Sequence, residues 1–179
     1  MKRNFRFLYL LLVFMATIPA LEAEQLYQLV NQRLHYMKDV AVFKAKQDLP
    51  VEDKAREQEV LEGVMVEAKQ YGLDADSVAD FFSAQMQVAK SIQQRYHQQW
   101  ELNKDHEGMP LPDMTGNIRP QITRLGNEIV QALPVYLSRY SPREASDRRQ
   151  FYQALTTEYL TEDDKKQLFD ALLKVKRAK

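Results

Sequence analysis

Two cations stand in this sequence where a helix should carry leucine or methionine. Leu26, Val30, Arg33, Met37, Val40 and Lys44 follow one another at intervals of 4, 3, 4, 3 and 4 residues, the spacing of the apolar seam of a packed helix. Arg33 and Lys44 are eleven residues apart, close to three full turns, so both project from one face about 16 Å apart by helical rise. The anomaly recurs downstream. Arg56 stands four residues before Val60 and eight before Val64, on what reads as the apolar stripe of a second helix. On a third, Val78, Phe82, Gln85, Ala89, Gln93 and Tyr96 form a stripe interrupted by two amides.

A single seam cation has an ordinary explanation. Its stem can lie along apolar surface with the charge reaching water, or it can pair with a nearby carboxylate such as Asp53 or Glu57. Three cations and an amide converging from three helices call for more, because an unpaired buried ion costs several kcal/mol. A small dianion or dicarboxylate fits the gap: an arginine fork matches a carboxylate in bidentate fashion and lysine supplies a point charge. Other chemistries are poorly provided for. There is no cysteine. His35, His97 and His106 lack ligand spacing and read as surface or rim residues, and neither a Gly-rich phosphate loop nor a serine-nucleophile motif is present. An enzyme built from these residues would act by binding geometry and electrostatics, without a covalent step or a metal.

The elements that hold these positions are helical. With 5 glycines and 7 prolines among 179 residues, a strand-rich fold with many tight turns is disfavoured and an all-α class is expected. The spacing predicts one helix over residues 24–48, broken by Asp48-Leu49-Pro50. A second is expected from about Val51 to Tyr71 and closed by Gly72, and a third from an Asp74 cap to about Leu102. These three long helices form the candidate site within a bundle of about six. Asn103 to Gly116 reads as a loop. After it, Asn117 is expected to cap a fourth helix with Pro120 in its first turn and Pro134 kinking or ending it. Ser141-Pro142-Arg143-Glu144 and Thr161-Glu162-Asp163-Asp164 then read as starts of the last helices.

Lys plus Arg and Asp plus Glu both total 25, so no general basic field would draw the protein to nucleic acid or anionic lipid. That balance includes a leader. Lys2, Arg3 and Arg6 precede an apolar run from Phe7 to about Pro19, followed by small residues at Ala20 and Ala23. This is the order of a secretory signal peptide, and the run is shorter than the roughly 20 residues that span a bilayer. Residues 1–23 are therefore expected to be removed, with cleavage after Ala23 or alternatively Ala20. That leaves a periplasmic or secreted domain over residues 24–179, without stable membrane association. Its charge is 22 basic against 24 acidic residues.

Gln32-Arg33, Val42-Phe43-Lys44-Ala45-Lys46, Leu49-Pro50-Val51-Glu52-Asp53-Lys54-Ala55-Arg56-Glu57 and Gln93 together resemble the AroQ-type chorismate mutases, in particular their exported, or gamma, subclass. The likeness is strongest over about residues 25–100, with Arg33, Lys44 and Arg56 spaced by eleven and twelve. It implies a cofactor-free Claisen rearrangement of chorismate to prephenate in a domain with catalytic helices over 24–102 and a helical extension over 103–179. By the resemblance Lys44 and Gln93 are donors to the ether oxygen. Arg33 and Arg56 hold carboxylate and hydroxyl-side groups, and Asp53 and Glu57 orient them or meet the ring hydroxyl.

Two departures accompany it. Intracellular members complete the site with an arginine from near the partner chain's N-terminus, a stretch that here falls in the leader. In exported members the C-terminal half supplies it: Arg119, in Asn117-Ile118-Arg119-Pro120, matches that position, and Arg124 is the next candidate. Each site would then lie within one protomer of a homodimer. Ala89 stands where Ser or Thr is frequent, which removes one polar contact from that part of the site. Two competing readings remain: a periplasmic helical binding module or chaperone whose seam charges set helix register, and a carboxylate sensor without catalysis.

Overall fold

The computed structural model describes residues 24–104, 106–138 and 145–179. The expected leader and the Ser141 to Glu144 helix start lie outside the described residues. Helix α1 occupies residues 24–35, and α2 is Met37–Lys46. A single long helix was expected here, and the two segments do run on: Tyr36 keeps right-handed torsions (φ −66°, ψ −9°) and accepts a bond from the Val40 amide at 3.0 Å. The seam crosses the join intact, with Leu26, Val30, Arg33, Met37 and Val40 all buried.

Helix α3, Lys54–Gln70, begins three residues later than the apolar pattern suggests, because the Asp53 carboxylate accepts from the Arg56 amide and sets the N-cap there. It ends at Gly72, whose φ of 65° lies in the left-handed region that glycine enters without penalty. Asp74 then caps α4, Ala75–Asn103, by accepting from the Ser77 amide at 2.9 Å.

Helix α4 is the axis of the molecule and packs against α2, α3 and α7. Its inner stripe, with Val78, Phe82, Gln85, Ala89, Gln93 and Tyr96 all buried, is the one the spacing predicts. Each large apolar side chain taken fully from water on this stripe contributes roughly 1.5–3 kcal/mol.

The next helix does not start at Asn117. The Asp113 carboxylate accepts from the Gly116 amide at 2.8 Å and opens a π-helical turn, Met114–Ile118, that runs directly into α5, Arg119–Ser138. Pro120 sits in the first turn of α5 as expected, and Pro134 lies inside the helix near its end without stopping it. α6 (Ala145–Ala154) and α7 (Glu162–Leu172) complete the order, the latter opened by a reciprocal Thr161–Asp164 capping box.

With α1 and α2 counted as one interrupted helix, the described residues form six helices and no strand. An isolated antiparallel bridge joins Leu73 to Arg177. The C-terminal region is tied to the seam helices by polar contacts. The Asn31 side chain accepts from the Thr156 and Thr157 amides at 2.9 and 3.2 Å. Arg95 of α4 donates to the Tyr159 carbonyl and to Asp164 at 2.9 and 2.5 Å. No described helix is long and apolar enough to cross a membrane.

Candidate active site

Arg33, Lys44, Arg56 and Gln93 line one cavity of about 120 Å3, together with Asp53, Glu57, Ala89 and Arg119. α1, α2, α3 and α4 supply the first four, and Arg119 enters from the first residue of α5. The apolar wall comes from Met37, Val40, Val60, Met86, Met114 and Ile122. The π turn accounts for the reach of α5: wound from Asp113 onwards, it packs against α2 and brings Met114 and Arg119 to the same cavity. Arg124 takes no part. It is turned along its own helix, bonded to Gln121 and paired with Glu128.

Arg33 is the most deeply held charge, 4% exposed. Neither Asp53 nor Glu57 neutralises it. One guanidinium nitrogen donates to Gln85 Oε1 at 3.4 Å, the group lies 5.5 Å from the Phe82 ring centre, and Nε has no hydrogen-bond partner. Burial, and after it the charge of Arg56, lowers its pKa to about 10, so Arg33 is a cation at neutral pH. A buried guanidinium with a spare donor is built to receive an anion.

Arg56 is less committed to this cavity. It forms an ion pair with Glu59 at 2.6 Å and donates to Thr123 Oγ1 at 3.1 Å. Both partners line an adjoining cavity of about 320 Å3 that shares Arg33, Arg56, Val60 and Ile122 with the first. Lys44 is half-buried near the end of α2, with its ammonium donating to the Val51 carbonyl. Burial pulls its pKa below the usual lysine value; Asp53 and Glu57 oppose that shift, while Arg119 and Lys90 add to it.

Gln93 is buried, with Nε2 bonded to the Ala89 carbonyl at 3.1 Å and near the Met37 sulfur at 3.5 Å, while Oε1 has no hydrogen-bond partner. Ala89 offers only its methyl group and that carbonyl.

Lys90 also lines the cavity and was not singled out from the sequence. It sits one residue beyond the inner stripe of α4, paired with Glu57 at 3.0 Å. The histidines stand elsewhere: His35 bonds Thr157, His97 bonds the Ala41 carbonyl, and His106 lies tilted against the Trp100 ring. Among the described residues no cluster of His, Asp and Glu could hold a metal ion.

The cavity thus presents five cations against two carboxylates, with hydrogen-bond donors over an apolar floor. It can bind a compact dianion, hold it in one conformation and stabilise negative charge that develops within it.

Known proteins share this arrangement of helices. The family profile described as chorismate mutase type II matches residues 23–94. A secreted chorismate mutase of Yersinia pestis is 33% identical over 159 residues, covering 89% of this chain and 84% of that protein. A monofunctional chorismate mutase of Enterobacter agglomerans is 34% identical over 165 residues, covering 92% and 90%. The crystal structure of the Yersinia pestis secreted chorismate mutase superposes with a TM-score of 0.79 at 32% identity, over 86% of this chain and 97% of that one.

Proposed function

This chain belongs to the type II chorismate mutase family and is an enzyme of that family, and we propose that it converts chorismate to prephenate through the cavity built around Arg33, Lys44 and Gln93. The observation that carries the reading is Arg33. A buried guanidinium with no carboxylate partner and an unused Nε donor is a liability to an empty fold and an asset to one that binds a dicarboxylate.

Chorismate carries two carboxylates, and it rearranges only from a compact chair-like conformer with the enolpyruvyl side chain over the ring. Arg33 holds one carboxylate, and Arg119 and Arg56 hold the rest of the anionic rim, so the reactive conformer is selected on binding and the entropic part of the barrier falls. Arg56 leaves Glu59 to do so. As the C–O bond breaks, negative charge gathers on the ether oxygen. Lys44 and the Gln93 amide donate there, Gln93 by giving up its long contact with the Met37 sulfur, and these bonds strengthen as the charge grows, so the transition state gains more than the ground state. Glu57 accepts from the ring hydroxyl, and Asp53, by capping α3 at the Arg56 amide, holds the start of that helix at the site. Met37, Val40 and Met86 supply an apolar wall that strengthens each of these interactions by excluding water. The reaction is a one-substrate isomerisation, and every role is filled by a side chain of this chain.

The relatives named as secreted and the basic-then-apolar order of residues 2–19 support an extracytoplasmic location after removal of residues 1–23. We further propose a single catalytic domain over residues 24–179 that assembles as a homodimer. With Arg119 lining the same cavity as Arg33, each site is complete within one protomer.

Replacing Arg33 by Leu and Lys44 by Met together separates this reading from a helix-register device. The double variant should stay folded with an unchanged or higher melting temperature and show no detectable mutase turnover. Retained turnover would overturn the site assignment.

A further inference from the structure

Lys90 has the geometry of a residue that serves the site through another group. Its ammonium lies 3.0 Å from Glu57 Oε2 and 3.8 Å from Glu52 Oε1, and the Lys90 and Glu57 side chains are only 24% and 26% exposed. Glu57 sits one turn into α3, and Lys90 reaches it from α4 across the helix pair that packs along the cavity. The neighbouring Ala89 brings no polar side chain to this part of the wall.

Glu57 poses a problem for a cavity that must admit a dianion. As a carboxylate it accepts a hydroxyl proton well, yet its charge repels both substrate carboxylates in a partly dry site. We propose that Lys90 is a positioning residue that neutralises and orients Glu57, so that this carboxylate can accept the ring hydroxyl of a dicarboxylate substrate without repelling it. Glu52, at the outer side of the same ammonium, steadies the lysine. The inference rests on the mutase reading above and concerns which group makes Glu57 compatible with an anionic substrate.

Steady-state kinetics with chorismate test it on the purified protein, Lys90→Met, Lys90→Arg, Glu57→Gln and the Lys90→Met/Glu57→Gln pair, with Lys90→Gln as a second variant should Lys90→Met fold poorly. Loss of the neutralising charge should raise KM roughly tenfold or more while kcat stays within about threefold, and Lys90→Arg should restore both. With Glu57→Gln in place the repulsion is gone, so adding Lys90→Met should change KM by less than about twofold. A KM effect that persists undiminished beside Glu57→Gln would overturn the proposal, since Lys90 would then act on substrate or on the fold directly. So would an unchanged KM in Lys90→Met. Absence of turnover by the unsubstituted protein would overturn the mutase reading itself, whereas normal turnover with either of those KM results overturns the Lys90 proposal alone.

Discussion

The Lys44 ammonium donates to the backbone carbonyl of Val51, so the cation near the end of α2 is anchored on the segment that leads into the Asp53 cap of α3. The contact has two effects. It holds a long, flexible side chain at the cavity through a neutral carbonyl, with Asp53 and Glu57 acting on its charge from nearby, and it makes the position of Lys44 depend on the Leu49-Pro50-Val51 break.

If Lys44 is a donor to the ether oxygen, Lys44→Ala should lower kcat by at least about 10²-fold, the scale of removing an oxyanion donor. Its lowered pKa adds a pH signature. The cation is the active form, so kcat/KM should fall on the alkaline side at a pH below the ordinary lysine value. Bound dianion favours the charged ammonium, so the limb in kcat should lie at higher pH than the limb in kcat/KM. Initial rates across the alkaline range check both statements.

Gln93 donates in the same form at any ordinary pH. The rate should accordingly be flat from about pH 5 to 8. Gln93→Glu can donate only when protonated, and its activity should be confined to the acidic side. Equal activity of that variant at pH 8 would remove Gln93 from the mechanism.

Arg33 links function to stability with opposite signs. Burial lowers its pKa to about 10 in the folded chain, below the ordinary arginine value, so between the folded and unfolded values the unfolded chain binds more protons and stability rises with pH. Below about 10 the burial penalty is fully present. Arg33→Met should therefore match or exceed the original melting temperature near neutral pH while abolishing turnover. A dicarboxylate ligand should raise the melting temperature of the unsubstituted protein and leave that of the variant unchanged. Thermal melts with and without ligand give the answer.

Gly116 lies in the π turn that leads directly into Arg119. A Cβ there would overlap the Asp113 carboxylate that caps the π turn. Gly116→Ala should force that carboxylate aside at a cost of about 1 kcal/mol, shift the start of α5 and lower kcat/KM roughly tenfold through Arg119. Asp113→Ala should reproduce the loss, and unchanged kinetics in both would show that Arg119 does not depend on the turn.

The part of the site that could be read from the sequence was the part written as a conflict. A lysine or arginine on a helical seam contradicts burial, and Arg33, Lys44, Arg56 and the amides of α4 stood out for that reason. Arg119 was legible only through family resemblance, since an exposed arginine at a helix start carries no local signal. Lys90 was missed because it lies one residue off the stripe and its partner Glu57 is 33 residues away, a pairing set by how α3 packs on α4. Asn117 looked like a cap, being a good capping residue two before an arginine-proline pair. Asp113 took that role by accepting from the Gly116 amide three residues on, as Asp53 and Asp74 do at α3 and α4, but the surrounding glycines and prolines made the stretch read as loop. The pause at Tyr36 had no glycine or proline to announce it.

The cavity should rearrange chorismate without any cofactor. Purified protein mixed with chorismate in the presence of a chelator, followed by proton NMR, tests it most directly. Chorismate signals should disappear with one-for-one appearance of prephenate, and Lys44→Ala should slow the conversion at least about 10²-fold. Chorismate that persists at the uncatalysed rate, or a product other than prephenate, would show that the cavity is not a chorismate mutase site.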